Sequence, residues 1–401
     1  MKIIHTKKIA CPACGAALTY DPETGKMKCG SCGSTYTTEE LATEPAKSVK
    51  PHEGNEGQLE CRVYRCSSCG AELNVNSAET STFCPYCGQP TLLFDRIATM
   101  NTPDLIIPFS VTREKAASLI REKLRKEPFV PRELRDVPLD QISGIYIPYW
   151  IYDIDYEEKA YLSGFANSET THPDFFYLNA ERHFEAIPAE GASRLDDELS
   201  KSLAPYHIDG ARPFDPSCLS GFYSDRCDAD PSDLENAAAE KARDFLENDM
   251  MKKIHDEEDM QSVTIQSKTE NFTITDRKYA LFPAWFLTFR WKNKPVTILV
   301  NGQTEKLVGG LPVNRGAFFT SMLLSCLWAI PVGIFFTWLT MWMHNDDLPD
   351  KLMGYAIVGL VAFLLIVIGA GLIHRVKKAN QLSQADNTHS YAFDREKGGK
   401  K

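Results

Sequence analysis

Eight of the twelve cysteines form four copies of one short knuckle, C-x-x-C-G: Cys11 to Gly15, Cys29 to Gly33, Cys66 to Gly70 and Cys84 to Gly88. Cys14 and Cys29 are separated by 14 residues, and so are Cys69 and Cys84. Two thiolates two residues apart grip one ion from a tight turn, and a second such turn completes a tetrahedral S₄ site. The expected ligands are therefore Cys11, Cys14, Cys29 and Cys32 for one ion, and Cys66, Cys69, Cys84 and Cys87 for another. Zn²⁺ is the expected cofactor at two per chain, although iron satisfies the same spacing. The glycine after each second cysteine lets the backbone turn through positive φ while neighbouring amides point at the sulfurs. A single C-x-x-C reads equally as a redox pair or two buried thiols, but four copies in register do not.

The two halves repeat. A shift of 55 residues superimposes the cysteines, the glycines, Ala16 on Ala71 and Leu18 on Leu73. Residues 1–38 and 61–95 read as two ribbons joined by a polar linker at 39–60, and 101–310 as an acidic α+β cytoplasmic domain. The second ribbon runs almost directly into Leu105-Ile-Ile-Pro108-Phe109, so it is expected to dock on that domain while the first ribbon moves.

Within the middle domain, Thr112 is positioned to cap a helix with Ala116, Leu119, Ile120 and Leu124 on one face. Ser232 and Glu235 read as a capping box for a helix to about Ile254. A shorter helix is expected from Arg194 to Leu203. The aromatic runs Ile145 to Tyr156 and Ala280 to Trp291 match in their Pro and Trp positions and read as strands, which suggests an internal duplication. Asn301-Gly302 is a hairpin signal followed by a strand from Gln303 to Val308.

Two segments near the C-terminus carry no formal charge, 28 residues from Gly316 to Met343 and 22 from Leu352 to Ile373. Each is long enough to cross about 30 Å of hydrocarbon. The segment 344–351 between them is acidic, whereas Lys306, Arg315 and the tail at 374–401 are basic. The positive-inside rule then places both termini in the cytoplasm, with a short external loop. The expected fold class is multidomain: two small Cys₄ zinc ribbons, an α+β soluble domain with a suggested internal duplication, and a C-terminal two-helix transmembrane hairpin. The expected localisation is the plasma membrane, multi-pass, with the bilayer as a partner. Neither span contains Asp, Glu, Lys or Arg, so the hairpin reads as an anchor and not an ion path.

Charge argues against a nucleic-acid surface. Residues 1–100 carry 10 bases against 11 acids, and 101–310 carry 25 against 37, with no local positive excess to neutralise phosphates. No phosphate-binding loop of the type G-x-x-x-x-G-K-[ST] occurs. His207 and Cys218 are a conceivable base and nucleophile, but no fixed spacing supports the pair. Cys61 is a spare thiol beside a ribbon that already has four, and Asp196-Asp197-Glu198 reads as a solvated helix start. No catalytic residue, enzyme activity or small-molecule substrate is expected.

The knuckles, together with Asp21-Pro-Glu-Thr-Gly25-Lys26, Ile106-Ile-Pro-Phe109, Tyr146-Ile-Pro-Tyr-Trp150, Ser193 to Leu199, Leu219-Ser-Gly-Phe222 and Val300-Asn-Gly-Gln-Thr304, carry a resemblance. The chain resembles bacterial membrane-anchored proteins with transcription-factor-IIB-type zinc ribbons, which are often labelled primosomal helicase-like. That resemblance implies zinc binding by the eight cysteines. It also implies partners among phage-shock-protein-A-like and SPFH proteins of membrane-stress systems. The functional expectation is a membrane-anchored, cytoplasm-facing zinc-binding adaptor for protein partners. The alternative is a nucleic-acid-associated zinc-ribbon protein tethered at the membrane.

Overall fold

The run Tyr279 to Phe289 is buried at every position. A strand that is apolar without alternation needs a cover on each face, and the rest of the fold supplies two. The computed structural model describes residues 3–4, 10–41, 58–75, 83–90, 92–127, 129–136, 141–165, 174–192, 195, 197–258, 262–291 and 294–311, with positions 314, 316–317, 319–320, 334–335 and 338 beyond them.

In chain order, the first ribbon holds β1 (Ile3–Ile4), β2 (Leu18–Asp21), β3 (Lys26–Cys29), β4 (Thr35–Tyr36) and α1 (Thr38–Leu41). The second holds β5 (Gln58–Cys66), β6 (Glu72–Val75) and β7 (Leu92–Asn101). There follow β8 (Leu105–Ile106), α2 (Arg113–Lys126), β9 (Ser143–Phe165), β10 (Asp174–Glu190), α3 (Asp197–Leu203), β11 (Arg212–Pro213) and β12 (Tyr223–Ser224). The last elements are α4 (Pro231–Glu258), β13 (Ser262–Trp291), β14 (Lys294–Asn301) and β15 (Leu307–Gly309). One sheet of 12 strands runs β1-β5-β6-β12-β9-β13-β14-β15, with β7 on β5, β10 on β9 and β8 between β11 and β13. Strands β2, β3 and β4 form a separate sheet.

Side chains alternate across a strand, so β13 divides its residues between two cores. Leu281, Trp285, Leu287 and Phe289 pack with Ile120 and Leu124 of α2 and with Leu18, Tyr20 and Met27 of the first ribbon. Ala280, Phe282, Ala284 and Phe286 pack with Leu199 and Leu203 of α3 and with Leu73 and Tyr86 of the second ribbon. Each face of the central sheet is thus covered by one helix and one ribbon. Further out, β9, β10 and β13 continue as a three-stranded extension, whose face bearing Tyr152, Ile154 and Tyr156 is covered by Ala238, Ala242, Leu246 and Met250 of α4.

Local signals account for much of the element placement. Thr112 caps α2 by accepting from Lys115 N–H, and the helix ends at Lys126. The fourth helix starts earlier than expected, with Pro231 as its first residue. Asp230 Oδ1, not the Ser232–Glu235 box, accepts from Ser232 N–H at 2.9 Å. The matched Pro/Trp strand runs lie antiparallel and paired, with Tyr146 opposite Pro283 and Pro148 opposite Leu281, so a local two-fold relates them. The Asn301-Gly302 step does not lead straight back into a strand. Asn301 Oδ1 accepts from Gln303 and Thr304 N–H at 2.8 and 2.9 Å, which keeps residues 303–306 as a loop and leaves β15 only three residues.

The expected multidomain fold class is corrected in three respects. The second ribbon is not a separate unit, because β5, β6 and β7 join the large sheet. The first ribbon is not loosely tethered either. Ser220 donates its hydroxyl to Leu18 O at 2.6 Å and its carbonyl accepts from Tyr20 N–H at 3.2 Å. The C-terminal two-helix transmembrane hairpin is also withdrawn: among the described residues no helix is long and apolar enough to cross a membrane. The segments 316–343 and 352–373 on which that expectation fell lie almost wholly outside the described residues. The multi-pass plasma-membrane localisation goes with it, since apolar length does not by itself separate a crossing helix from a buried segment.

One buried charge stands out beneath α4. Glu158 on β9 is fully buried, and neither carboxylate oxygen has a hydrogen-bond partner. Burial pushes its carboxyl above the ordinary range, and Glu247 and Glu270 act in the same direction. The folded state therefore holds this proton at a pH where the unfolded chain has released it, and stability falls as pH rises through that interval. Glu158→Gln is expected to raise stability at pH 8 by about 1–3 kcal/mol, the scale of an unpaired buried polar group. Denaturant unfolding at pH 8 and at pH 4 checks this, because the gain should vanish at the acid end.

Candidate metal centres

Each knuckle closes by the same two backbone bonds. Gly15, Gly33, Gly70 and Gly88 donate N–H to the carbonyls of Cys11, Cys29, Cys66 and Cys84 at 2.8–3.0 Å. The same four cysteines donate N–H to Ala16, Ser34, Ala71 and Gln89 at 2.7–2.8 Å. The knuckle glycines have φ of 75°, 76°, 70° and 69°, a region in which a Cβ would be strained. Four separate stretches thus fold to one turn because they share one local pattern.

The turns bring the eight sulfurs together in two groups of four. In each group, all four Sγ atoms lie within 4.8 Å of one another. Cys11 and Cys32 are 3.6 Å apart, Cys14 and Cys29 3.5 Å, Cys66 and Cys87 3.6 Å, and Cys69 and Cys84 3.7 Å. A tetrahedral zinc with Zn–S of about 2.3 Å requires sulfur separations of about 3.8 Å. A disulfide would need about 2.05 Å. The donor sets therefore fit Zn²⁺, and the chain carries two Cys₄ zinc sites.

Electrostatics within the clusters favour a dication. Hydrogen bonding to the Cys66, Cys69 and Cys87 sulfurs, followed by burial, pushes the Cys84 thiol far up. Four thiolates cannot ionise side by side without a positive charge between them, and a divalent ion supplies it. In the first cluster Cys32 is held down to about 6 by the Ser34 hydroxyl and N–H, with Ser34 Oγ 3.3 Å from its sulfur.

The clusters differ in their surroundings. Cys11 and Cys29 are buried while Cys14 and Cys32 are exposed; all four ligands of the second cluster are buried. The second site is sealed by its last knuckle. The Thr288 hydroxyl donates to Pro85 O, and the Tyr86 hydroxyl to the buried carboxylate of Asp225. Tyr86 also meets Phe286 edge-on at 5.8 Å between centroids. These anchors went unread in the sequence, although a tyrosine inside C-P-Y-C, where the matching knuckle of the first ribbon has Ser31, was a visible sign of a buried tip.

The other candidates separate. His207 is exposed, and its main chain is clamped by the Gln303 side chain, which accepts from His207 N–H at 2.8 Å and donates to its carbonyl at 2.9 Å. Cys218 is buried with Arg212 Nη2 at 3.0 Å from its sulfur, so a guanidinium and not an imidazole sits beside it. Cys61 is directed at Asn74 Oδ1 and Ala98 O, away from the metal cluster. Asp197 opens α3.

A family model described as Trm112p-like protein matches residues 5–37, which is the first ribbon. The chain is 27% identical over 318 residues to the uncharacterized protein YdjG of Bacillus subtilis strain 168, covering 76% of this chain and 90% of that protein. No solved structure matches. The zinc-ribbon part of the resemblance is thereby supported, under a Trm112p-like description and not a transcription-factor-IIB-type one.

Metal analysis of the purified chain should give two zinc ions per molecule. At Gly88 an added Cβ would lie 2.6 Å from Thr288 O, whereas at Gly70 it would meet nothing within 4 Å. Gly70→Ala should cost about 1–2 kcal/mol for left-handed strain. Gly88→Ala should cost more, because backbone must also move. Thermal unfolding of the two variants checks the order.

Proposed function

We propose that this chain is a zinc-stapled adaptor that holds a partner protein in the cleft between its ribbons and the central sheet. The observation that carries the reading is that cleft, an open space of about 1450 Å³. Thr19 to Glu23 and Lys28 of the first ribbon form one wall, and Val75 and Phe83 of the second ribbon contribute another. Ser110 to Lys115, Gly144, Phe222 and Trp285 complete it. The cleft combines aromatic surface with a mixed rim of Asp21, Glu23, Lys28, Arg113, Glu114, Lys115 and Glu305. A mixed polar and apolar lining whose edge carries charges of both signs suits a peptide segment better than a phosphate backbone, which needs a positive excess. The reading assigns no catalysis to the chain. Phage-shock-protein-A-like and SPFH proteins, the partners implied by the sequence resemblance, are the first candidates.

A photo-crosslinking residue placed at Lys28 should capture a discrete protein partner in cells. Lys28→Glu combined with Arg113→Glu should reduce that capture at least fivefold while leaving zinc content and the circular dichroism spectrum unchanged. Undiminished capture by the double variant would remove the cleft from the proposal.

A further inference from the structure

We infer that the two zinc sites are built for different fates: the first is a peroxide-responsive site, and the second is a permanent staple. The inference goes beyond the adaptor reading and does not depend on it.

The first observation is access. Cys14 and Cys32 are exposed, and so are Pro12, Ala13, Gly30 and Ser31 at the tips of the same two knuckles. In the second site Pro85 and Tyr86 are buried beneath the last knuckle, along with all four ligands. Reaction with peroxide requires a thiolate that the oxidant can reach. The first site has two exposed ligands; in the second all four are buried, even though Ser67 and Ser68 at the tip of its other knuckle are exposed.

The second observation is what each site holds up. The first site closes a three-stranded sheet of its own, seated on the body through Ser220, Tyr20 and one face of the core. Opening it disrupts that small sheet and loosens Leu18, Tyr20 and Met27 from one face of β13, but leaves every strand of the large sheet paired. In the second site Cys66 is the last residue of β5, and β5 and β6 belong to the large sheet. Opening it means pulling Tyr86, Leu73 and Val75 out of the core that covers β13. Both ribbons pack on β13, but only opening of the second breaks into the large sheet, so local opening costs less at the first site.

The chemistry balances with a hydroperoxide as the oxidant. The Cys14 thiolate attacks the O–O bond, forming a sulfenic acid and releasing hydroxide. The Cys32 thiolate, which lies within the same cluster, then attacks the sulfenic sulfur, giving a Cys14–Cys32 disulfide and a second hydroxide. Two electrons leave the two sulfurs and reduce one peroxide. With two of its four donors consumed, the cluster no longer holds the ion. Thr19 to Glu23 form a wall of the cleft, so the same event removes that wall.

The test uses the full chain loaded with two zinc ions and treated with hydrogen peroxide, with zinc release followed by a colorimetric chelator. One equivalent should leave about tenfold or more faster than the other, as expected from the contrast in thiolate access. Differential maleimide labelling with mass spectrometry should show Cys14 and Cys32 oxidised first, while Cys66, Cys69, Cys84 and Cys87 remain protected. Cys14→Ser should keep a single zinc and lose the fast phase. Parallel loss of both equivalents, or first oxidation within the second cluster, would overturn the inference. Labelling of the unmodified chain decides the matter even if the variant does not fold.

Discussion

Burial of Tyr279 to Phe289 on both faces is the constraint on which the rest of this structure depends. An eleven-residue run of that character cannot sit at a surface, and two short helices, α2 and α3, are too small to cover both sides of it. Each zinc ribbon completes one cover. Leu18, Tyr20 and Met27 close one face, and Leu73, Val75 and Tyr86 close the other. The metal sites are therefore structural elements of the main core and not appendages, because the residues between the knuckles are the ones that reach β13. Zinc allows this economically: a ribbon of some thirty residues has too little apolar content to hold its own shape, and four metal–sulfur bonds make up the difference.

The same local motif is used with opposite degrees of commitment. Both ribbons have identical knuckle turns and nearly identical sulfur spacing. They diverge in which surface of the knuckle meets protein. The second presses Pro85 and Tyr86 against Thr288, Phe286 and Asp225, while the first leaves its knuckle tips in solvent and docks through its strands. Ligand identity sets affinity for the ion, and burial sets how readily a site is reached or opened. Two chemically equivalent sites thus acquire different exposure from packing alone.

Several features were legible in the residues because their causes are local. The four knuckles, their pairing and zinc as the occupant follow from thiolate chemistry at fixed spacing, and the α2 cap follows from Thr112 three residues before Lys115. The aromatic runs were visible as strands, but they read as alternating, whereas β13 is buried at every position from Tyr279 to Phe289. Other readings failed where a distant residue decided the outcome. The strand expected from Gln303 became a loop because Asn301 turns its side chain onto Gln303 and Thr304 while also donating to Leu203 O, about a hundred positions earlier in the chain. Apolar length near the C-terminus suggested a crossing pair of helices, an expectation that fell on segments almost wholly outside the described residues.

What the sequence determined by itself was the inventory of chemistry: eight thiols in two sets of four, glycines where the turn needs positive φ, and strands whose burial is written in their composition. Only the tertiary structure decided that the ribbons lie on opposite faces of one sheet, that β5 and β6 enter that sheet, and that Cys14 and Cys32 are the sulfurs left in reach of solvent. The division has a physical basis. Metal ligation and turn geometry act over a few bonds and are encoded where they occur, whereas burial is a property of surfaces brought together from positions such as Pro85 and Thr288.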